Sequence, residues 1–264
     1  MRDELDTTIV QFDEETGIGH LTLNRPDALN ALSDQLRNDI VDGLRRLEAE
    51  NDADDAVVLR AVIIEGADDN FCAGADITEF SGDAAGARSD REHYEFIRDF
   101  PVPVIAKIRG YCLGGGFETA MSCDFRFAHH DARFGLPEVD LGIIPGAGGA
   151  QFISRLNNPS VAMEIAMTGD HISAERANEL ELVNRVYGDD LDDATREFAE
   201  TIASKPPLAI QAIKDSARAA TEVGLAEGRK YDRRLVEPLF ATEDFEKGAR
   251  AFAEDEYEPE FKGR

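Results

Sequence analysis

Basic side chains are the scarce class in this chain of 264 residues. Lys and Arg number 28 against 54 Asp and Glu, the formal net charge is -26, and only six of the cations are lysines. Binding a nucleic acid or an anionic bilayer relies on Lys and Arg neutralising phosphates, so this balance argues against both partners. No run of about 18 apolar residues is available to span a bilayer. The start, MRDELDTTIVQF, lacks the basic-then-apolar order of an export signal. A cytoplasmic location is the expectation. Cysteine is sparse too: Cys72, Cys112 and Cys123 are odd in number, sit among apolar neighbours and show neither CxxC nor Cys/His spacing. That pattern argues against a disulfide framework or a zinc site, and the three read as small core residues.

What is present suffices for a sizeable core. At 42% apolar and 31% charged residues, the chain has the composition and length of one large globular domain or two small ones. The acidic excess is spread along the chain, in stretches such as EAENDADD (48–55) and GDDLDD (188–193). A solvated, solubilising face is one reading. A salt-rich cytoplasm, where short Debye lengths screen self-repulsion, is the reading preferred here.

The order of elements is mixed α/β. TTIVQF (7–12) and IGHLTLN (18–24) read as a hairpin around DEETG, and a helix capped by Ser33 runs to about Glu50 with Leu36, Ile40, Leu44 and Leu47 on one face. VVLRAVII (57–64) reads as a buried strand. GDAAGARSD (82–90) is a polar, small-residue loop, followed by a helix ending near Phe100, the PVP stop and the strand VIAKI (104–108). A glycine triplet then opens a helix to about Ser122, followed by a strand DFRFA (124–128). Helices are expected over 148–156, 160–167, 174–180, 190–204, 207–220 and 230–253, with one short strand LVNRV (182–186). This is an α/β core (1–195) followed by a helical C-terminal lobe (196–264).

Three stretches carry chemistry. In GYCLGGGFETAMSCD (110–124), Gly114, Gly115 and Gly116 open an apolar helix with Glu118 in its first turn. Such a start points unpaired N–H groups and the positive end of the helix dipole at whatever lies in front, although tight helix–sheet packing alone also selects glycine. NFCAGADITEF (70–80) follows a buried strand, where α/β proteins commonly bind ligands. FGLPEVDLGIIPGAGG (134–149) places Glu138 after a proline in an apolar setting. Glu118 and Glu138 thus stand in segments too apolar for solvated faces, where carboxylates serve as acid and base or as structural hydrogen-bonding groups. The GxGxxG fingerprint is met neither at the triplet nor at PGAGGAQ (145–151), no GK[ST] follows, and no GxSxG supports a hydrolase triad. His129, His130 and Asp131 are expected to diverge at the end of a strand, so no metal is assigned. Asp124 and Asp140 read as structural.

In this order and spacing the three stretches resemble the crotonase superfamily, from NRPDALNAL (24–32) through AGAD (73–76), the triplet, Pro137–Glu138 and GIIPGAGG to LFATEDFEKGARAFAE (239–254) and EFKGR (260–264). The resemblance covers almost the whole chain. It implies a spiral of ββα units with a helical C-terminal trimerisation lobe, assembled as a homotrimer or a dimer of trimers. It also implies a CoA thioester whose oxygen is held by the backbone N–H groups of Ala75 and Gly115. Enoyl-CoA hydratases are similar in pairing a glutamate three residues after the oxyanion glycine with one in the Pro-Glu dipeptide, which are Glu118 and Glu138 here. The implied reaction is syn addition of water to a trans-2-enoyl-CoA, with no metal and no cofactor beyond the CoA of the substrate.

Substrate contacts implied by the resemblance are Arg25, Ala28, Ala73, Asp76, Ile77 and Thr78, with Phe261 and Lys262 contributed by a neighbouring subunit. Where family members often carry lysine, this chain has Asp27 and Thr78, so the cations for the CoA phosphates fall to Arg25 and Lys262. An enoyl-CoA isomerase is the alternative if only one glutamate faces the thioester, and a non-catalytic scaffold on the same fold is the third reading. The acyl pocket is expected from dispersed residues in 82–100 and the C-terminal helices, which leaves chain length and pathway unread.

Overall fold

The computed structural model describes residues 1–53, 56–79, 92–254 and 257–264. The small-residue stretch 82–90 lies outside the described residues. Ten strands form two sheets among those described: β1 (Arg2–Glu4), β2 (Thr8–Asp13), β3 (Ile18–Leu23), β4 (Ala61–Gly66), β5 (Val104–Ile108), β6 (Tyr111–Leu113), β7 (Phe125–His129), β8 (Arg133–Gly135), β9 (Ile172–Ser173) and β10 (Arg185–Tyr187). The larger sheet has the order β1-β2-β3-β4-β5-β7-β10, antiparallel from β1 to β3 and parallel beyond. The smaller has the order β6-β8-β9.

Both faces of the parallel part are covered, as a parallel sheet requires. Alternate residues serve opposite cores because side chains on a strand alternate in direction. Val62 and Ile64 of β4 join the main core with Leu36, Ile40, Leu44 and Leu47 of α1 (Asp34–Glu48), while Ala61 and Ile63 join a second cluster with Phe127, Leu191 and Ala199. The cap expected for α1 is present: the Ser33 hydroxyl accepts the Leu36 N–H at 3.1 Å. The remaining helices are α2 (Glu92–Asp99), α3 (Gly115–Ser122), α4 (Gly149–Leu156), α5 (Pro159–Thr168), α6 (Ala174–Glu179), α7 (Leu191–Ala203), α8 (Pro207–Ala219), α9 (Leu225–Leu239) and α10 (Glu243–Ala253). The boundary expected at 195 falls inside α7, which packs on the sheet and buries Thr195 and Ala199.

Three expectations are corrected. The helix expected over 230–253 is two helices: α9 ends just past Pro238, and Thr242 caps α10 by accepting the Phe245 N–H at 3.1 Å. The strand expected at 57–64 begins only at Ala61, because the N–H groups of Val58 and Leu59 both go to Asn51 Oδ1 and that of Val57 goes to the Lys262 carbonyl. The strand expected at 182–186 begins at Arg185, since the Leu182 and Val183 N–H groups close back on the Ala177 carbonyl. All three cysteines are buried and free, as expected for core residues.

Asp124 ties the C-terminal lobe to the sheet. Its carboxylate accepts the Val104 N–H at 2.8 Å and meets Lys214 Nζ at 2.8 Å and Arg218 Nη2 at 2.7 Å, all largely shielded from solvent. Removing one partner of a shielded ion pair leaves uncompensated charge, which costs about 3–5 kcal/mol. Asp124→Ala is therefore expected to lower unfolding free energy by about that amount in guanidinium titrations, and Lys214→Met combined with it to restore part of the loss.

Candidate active site

The three chemistry-bearing stretches, far apart in sequence, meet along one seam. The segment 72–76 runs between two others: Cys72 bridges Cys112 and Ala75 bridges Leu32, both in parallel. Cys72 N–H donates to Tyr111, Leu113 N–H to Cys72, Ala73 N–H to Leu29 and Leu32 N–H to Gly74, at 2.8 to 3.0 Å. Asn30 is buried with φ 55°, and its amide donates to the carbonyls of Ala67 and Asn70 while its oxygen accepts the Arg25 N–H. A left-handed asparagine with a satisfied amide is how the loop 24–32 is pinned beside the glycine helix.

Each glycine of the triplet has its own reason. Gly114, the N-cap of α3, has φ 50° and ψ -127°, a conformation that L residues rarely adopt. A Cβ there would also lie 2.9 Å from Glu138 Oε1. A Cβ on Gly115 would lie 2.8 Å from the Tyr94 hydroxyl and 3.0 Å from Leu32 Cδ1, and one on Gly116 would run into the Cys72 carbonyl. Close packing of the start of α3 on Glu138, Tyr94, Leu32 and Cys72 thus accounts for the glycines without a ligand.

That packing leaves two N–H groups with nothing to bond to among the described residues. Gly115 is the first residue of α3, so it has no carbonyl one turn back. The Ala75 bridge is closed by the Leu32 and Asp76 N–H groups, not by that of Ala75. The two lie close together, the Ala75 nitrogen being 3.7 Å from the Cβ position of Gly115.

Two carboxylates flank this pair in different states. Glu118 is 3% exposed, and its Oε1 accepts the N–H groups of Ala147 and Gly149, each at 2.8 Å. The GIIPGAGG loop is therefore the cradle of Glu118, a role its spacing did not reveal because the donors are backbone. Two donated N–H bonds suit an ionised carboxylate. Glu138 enters on a 3-10 turn (Pro137–Leu141), and its Oε2 is buried without a partner. Burial pushes its carboxyl above the ordinary carboxylate value.

The remaining expected residues fall in two places. Arg25 donates to Asp76 Oδ2 at 2.9 Å and to the Ala31 carbonyl, and Thr78 caps the same Asp76 through its hydroxyl at 2.6 Å. These bonds hold the Asp76 carboxyl below its ordinary value, the Thr78 hydroxyl first and Arg25 next. Ala28 and Ala73 are half-buried in the same seam, whereas Ile77 is 60% exposed. Phe261 and Lys262 lie elsewhere on the chain, their backbone bonded to Arg60, Val57 and Asp244. His129 and His130 do not diverge: the strand ends at His129, and the turn brings the two rings to 4.2 Å, with Asp131 Oδ1 2.9 Å from His130 Nδ1.

Comparison with known proteins identifies the family. The enoyl-CoA hydratase/isomerase family matches residues 13–264. This chain belongs to that family. It is 39% identical over 241 residues to a mitochondrial enoyl-CoA hydratase of Pongo abelii, covering 90% of this chain and 81% of that protein. It is 40% identical over 251 residues to the 2,3-dehydroadipyl-CoA hydratase of Escherichia coli, covering 92% and 94%. The crystal structure of an enoyl-CoA hydratase from Bacillus anthracis superposes with a TM-score of 0.88 at 34% identity, covering 98% of this chain and all of that one. The crotonase-type spiral and the C-terminal helices are thus those of the family.

Within this family fold, Gly114 and Gly142 allow a controlled comparison. Both have positive φ, but a Cβ on Gly142 meets nothing within 4 Å. Gly142→Ala is expected to cost about 1 kcal/mol from backbone strain alone, and Gly114→Ala about 1–3 kcal/mol more because the Glu138 carboxylate must move. Parallel urea titrations of the two variants check the difference.

Proposed function

We propose that this chain is an enoyl-CoA hydratase that adds water across the double bond of a trans-2-enoyl-CoA to give a 3-hydroxyacyl-CoA. The observation that carries the reading is the pair of carboxylates, Glu118 cradled by N–H donors and the half-buried Glu138 with its Oε2 buried and unpaired, on either side of the free Gly115 and Ala75 N–H groups. Dipoles aimed where charge develops are the strongest single aid to acyl chemistry, one such donor being worth roughly 2.7–4 kcal/mol.

In this reading the thioester oxygen rests on the Ala75 and Gly115 N–H groups. Glu118 takes a proton from water as its oxygen attacks the β-carbon, and the π electrons move onto the thioester oxygen as an enolate. Glu138 then gives its proton to the α-carbon. Transfer of the proton from Glu118 back to Glu138 restores the starting state. An isomerase needs only one carboxylate at the acyl group, so the two are what favour hydration. The reaction calls for no metal or redox cofactor.

Arg25, Ala28, Ala73, Asp76, Ile77 and Thr78 are proposed to line the CoA path, with Phe261 and Lys262 reaching it from a neighbouring subunit. Two exposed apolar surfaces support a trimer or dimer of trimers: Leu141, Ile143 and Ile144 with Met163 and Met167 on the core, and Phe240, Phe245 and Phe252 on the C-terminal lobe, the last 95% exposed. Among the described residues no helix is long and apolar enough to cross a membrane. A salt-rich cytoplasm is proposed from the net charge of -26.

Hydration of crotonyl-CoA, followed by loss of enoyl-thioester absorbance, tests the reading. Glu118→Gln and Glu138→Gln should each lower kcat by roughly 10²- to 10⁴-fold. Proton donation needs Glu138 protonated, so kcat should fall as pH rises through its burial-raised pKa, and Glu138→Gln should abolish that limb. Turnover retained in both variants would overturn the reading. Ile144→Asp should shift the sedimentation profile toward smaller species.

A further inference from the structure

Tyr94 on α2 is a polar group without a partner at the centre of the site. The residue is only 9% exposed, its ring lies 3.7 Å from that of His93, and its hydroxyl makes no hydrogen bond among the described residues. The hydroxyl is not among the buried unpartnered atoms, so the little exposure the residue keeps includes its polar tip, where an incoming acceptor can reach it.

Its position says which partner. The hydroxyl stands 2.8 Å from the point where a Cβ on Gly115 would be, and the Ala75 nitrogen lies 3.7 Å from that same point. On a helix, residues three apart share a face, so this point lies one turn before Glu118. Burial first, and then the nearby charges of Glu118 and Glu138, raise the pKa of the phenol well above its ordinary value. Tyr94 therefore stays neutral and keeps its proton to donate.

The support behind Tyr94 is rigid. His93 Nε2 lies 3.3 Å from Thr119 Oγ1, and the Thr119 hydroxyl donates to the Gly115 carbonyl at 2.8 Å. Because Thr119 gives its only hydroxyl proton to Gly115, Nε2 must be the donor, which leaves Nδ1 bare; that atom is buried and unpaired. Burial pushes the His93 pKa down to about 3, so the ring remains neutral. Thus α2 is joined to the first turn of α3 through the residue beside Tyr94.

We propose that the Tyr94 hydroxyl is a third hydrogen-bond donor to the thioester oxygen, beside the N–H groups of Ala75 and Gly115. The inference rests on the oxyanion assignment made above. No bond is made or broken by Tyr94; it shares charge that appears on the oxygen as the enolate forms. Its contribution should therefore appear in kcat far more than in KM.

The test uses the full-length protein and 4-(dimethylamino)cinnamoyl-CoA, whose absorbance moves to longer wavelength when its thioester oxygen is polarised. Wild type should shift the band. Tyr94→Phe, which deletes one oxygen from a packed ring, should shift it less, bind the ligand within about threefold of wild type, and lower crotonyl-CoA kcat by roughly 10²-fold. Incorporating 3-fluorotyrosine at 94, a stronger donor of nearly the same size, should enlarge the shift and provides the readout if Tyr94→Phe melts early. An equal shift in wild type, Tyr94→Phe and the fluorinated protein overturns the role of Tyr94 while leaving the oxyanion site standing. Binding with no shift in wild type overturns the oxyanion assignment itself.

Discussion

The contact on which the rest depends is the seating of the first turn of α3 against residues 72–75. The Cys72 carbonyl occupies the space where Gly116 would carry a side chain, so the helix axis comes within a glycine's reach of the neighbouring strand end. This closeness leaves the Gly115 and Ala75 N–H groups side by side, and it fixes where Glu118 leaves the helix one turn later. The loop 24–32 braces the outer side of 72–75 and the strand β6 braces the inner side. A parallel sheet covered on both faces supplies the rigid frame from which these strand ends project.

Electrostatics then divides labour between two residues of the same type. Glu118 is met by two backbone N–H donors, whereas Glu138 is half-buried, with its Oε2 enclosed and unpaired and its carboxyl pushed toward the neutral form. Environments that separate two carboxyls in this way suit one to accept and the other to donate a proton. The acidic surface takes no part in this: the groups that matter are enclosed, and the enclosed cation cluster of Lys214 and Arg218 is matched by Asp124.

Much of this was legible in the sequence, and the parts that were not share a cause. The triplet, Glu118, AGAD and Pro137–Glu138 are local signals, and the start of α3 follows from glycine chemistry. The reason for each glycine was not legible, because it lies in Glu138, Tyr94, Leu32 and Cys72, distant in sequence. The GIIPGAGG stretch met no phosphate-binding pattern and carried no role of its own in the sequence, yet its Ala147 and Gly149 N–H groups hold a carboxylate. Helix periodicity ran 230–253 together because the break comes from Pro238 and the Thr242 cap, which interrupt the apolar pattern only briefly. Tyr94 gave no signal, since an aromatic in a short amphipathic helix reads as core.

The most direct measurement is a crystal structure with acetoacetyl-CoA, a thioester with no double bond to hydrate. The thioester oxygen is expected about 2.7–3.1 Å from both the Ala75 and Gly115 nitrogens, with Glu118 and Glu138 facing the β-carbon. A thioester bound with its oxygen away from those two N–H groups would contradict the assignment of α3 as the element that stabilises the enolate.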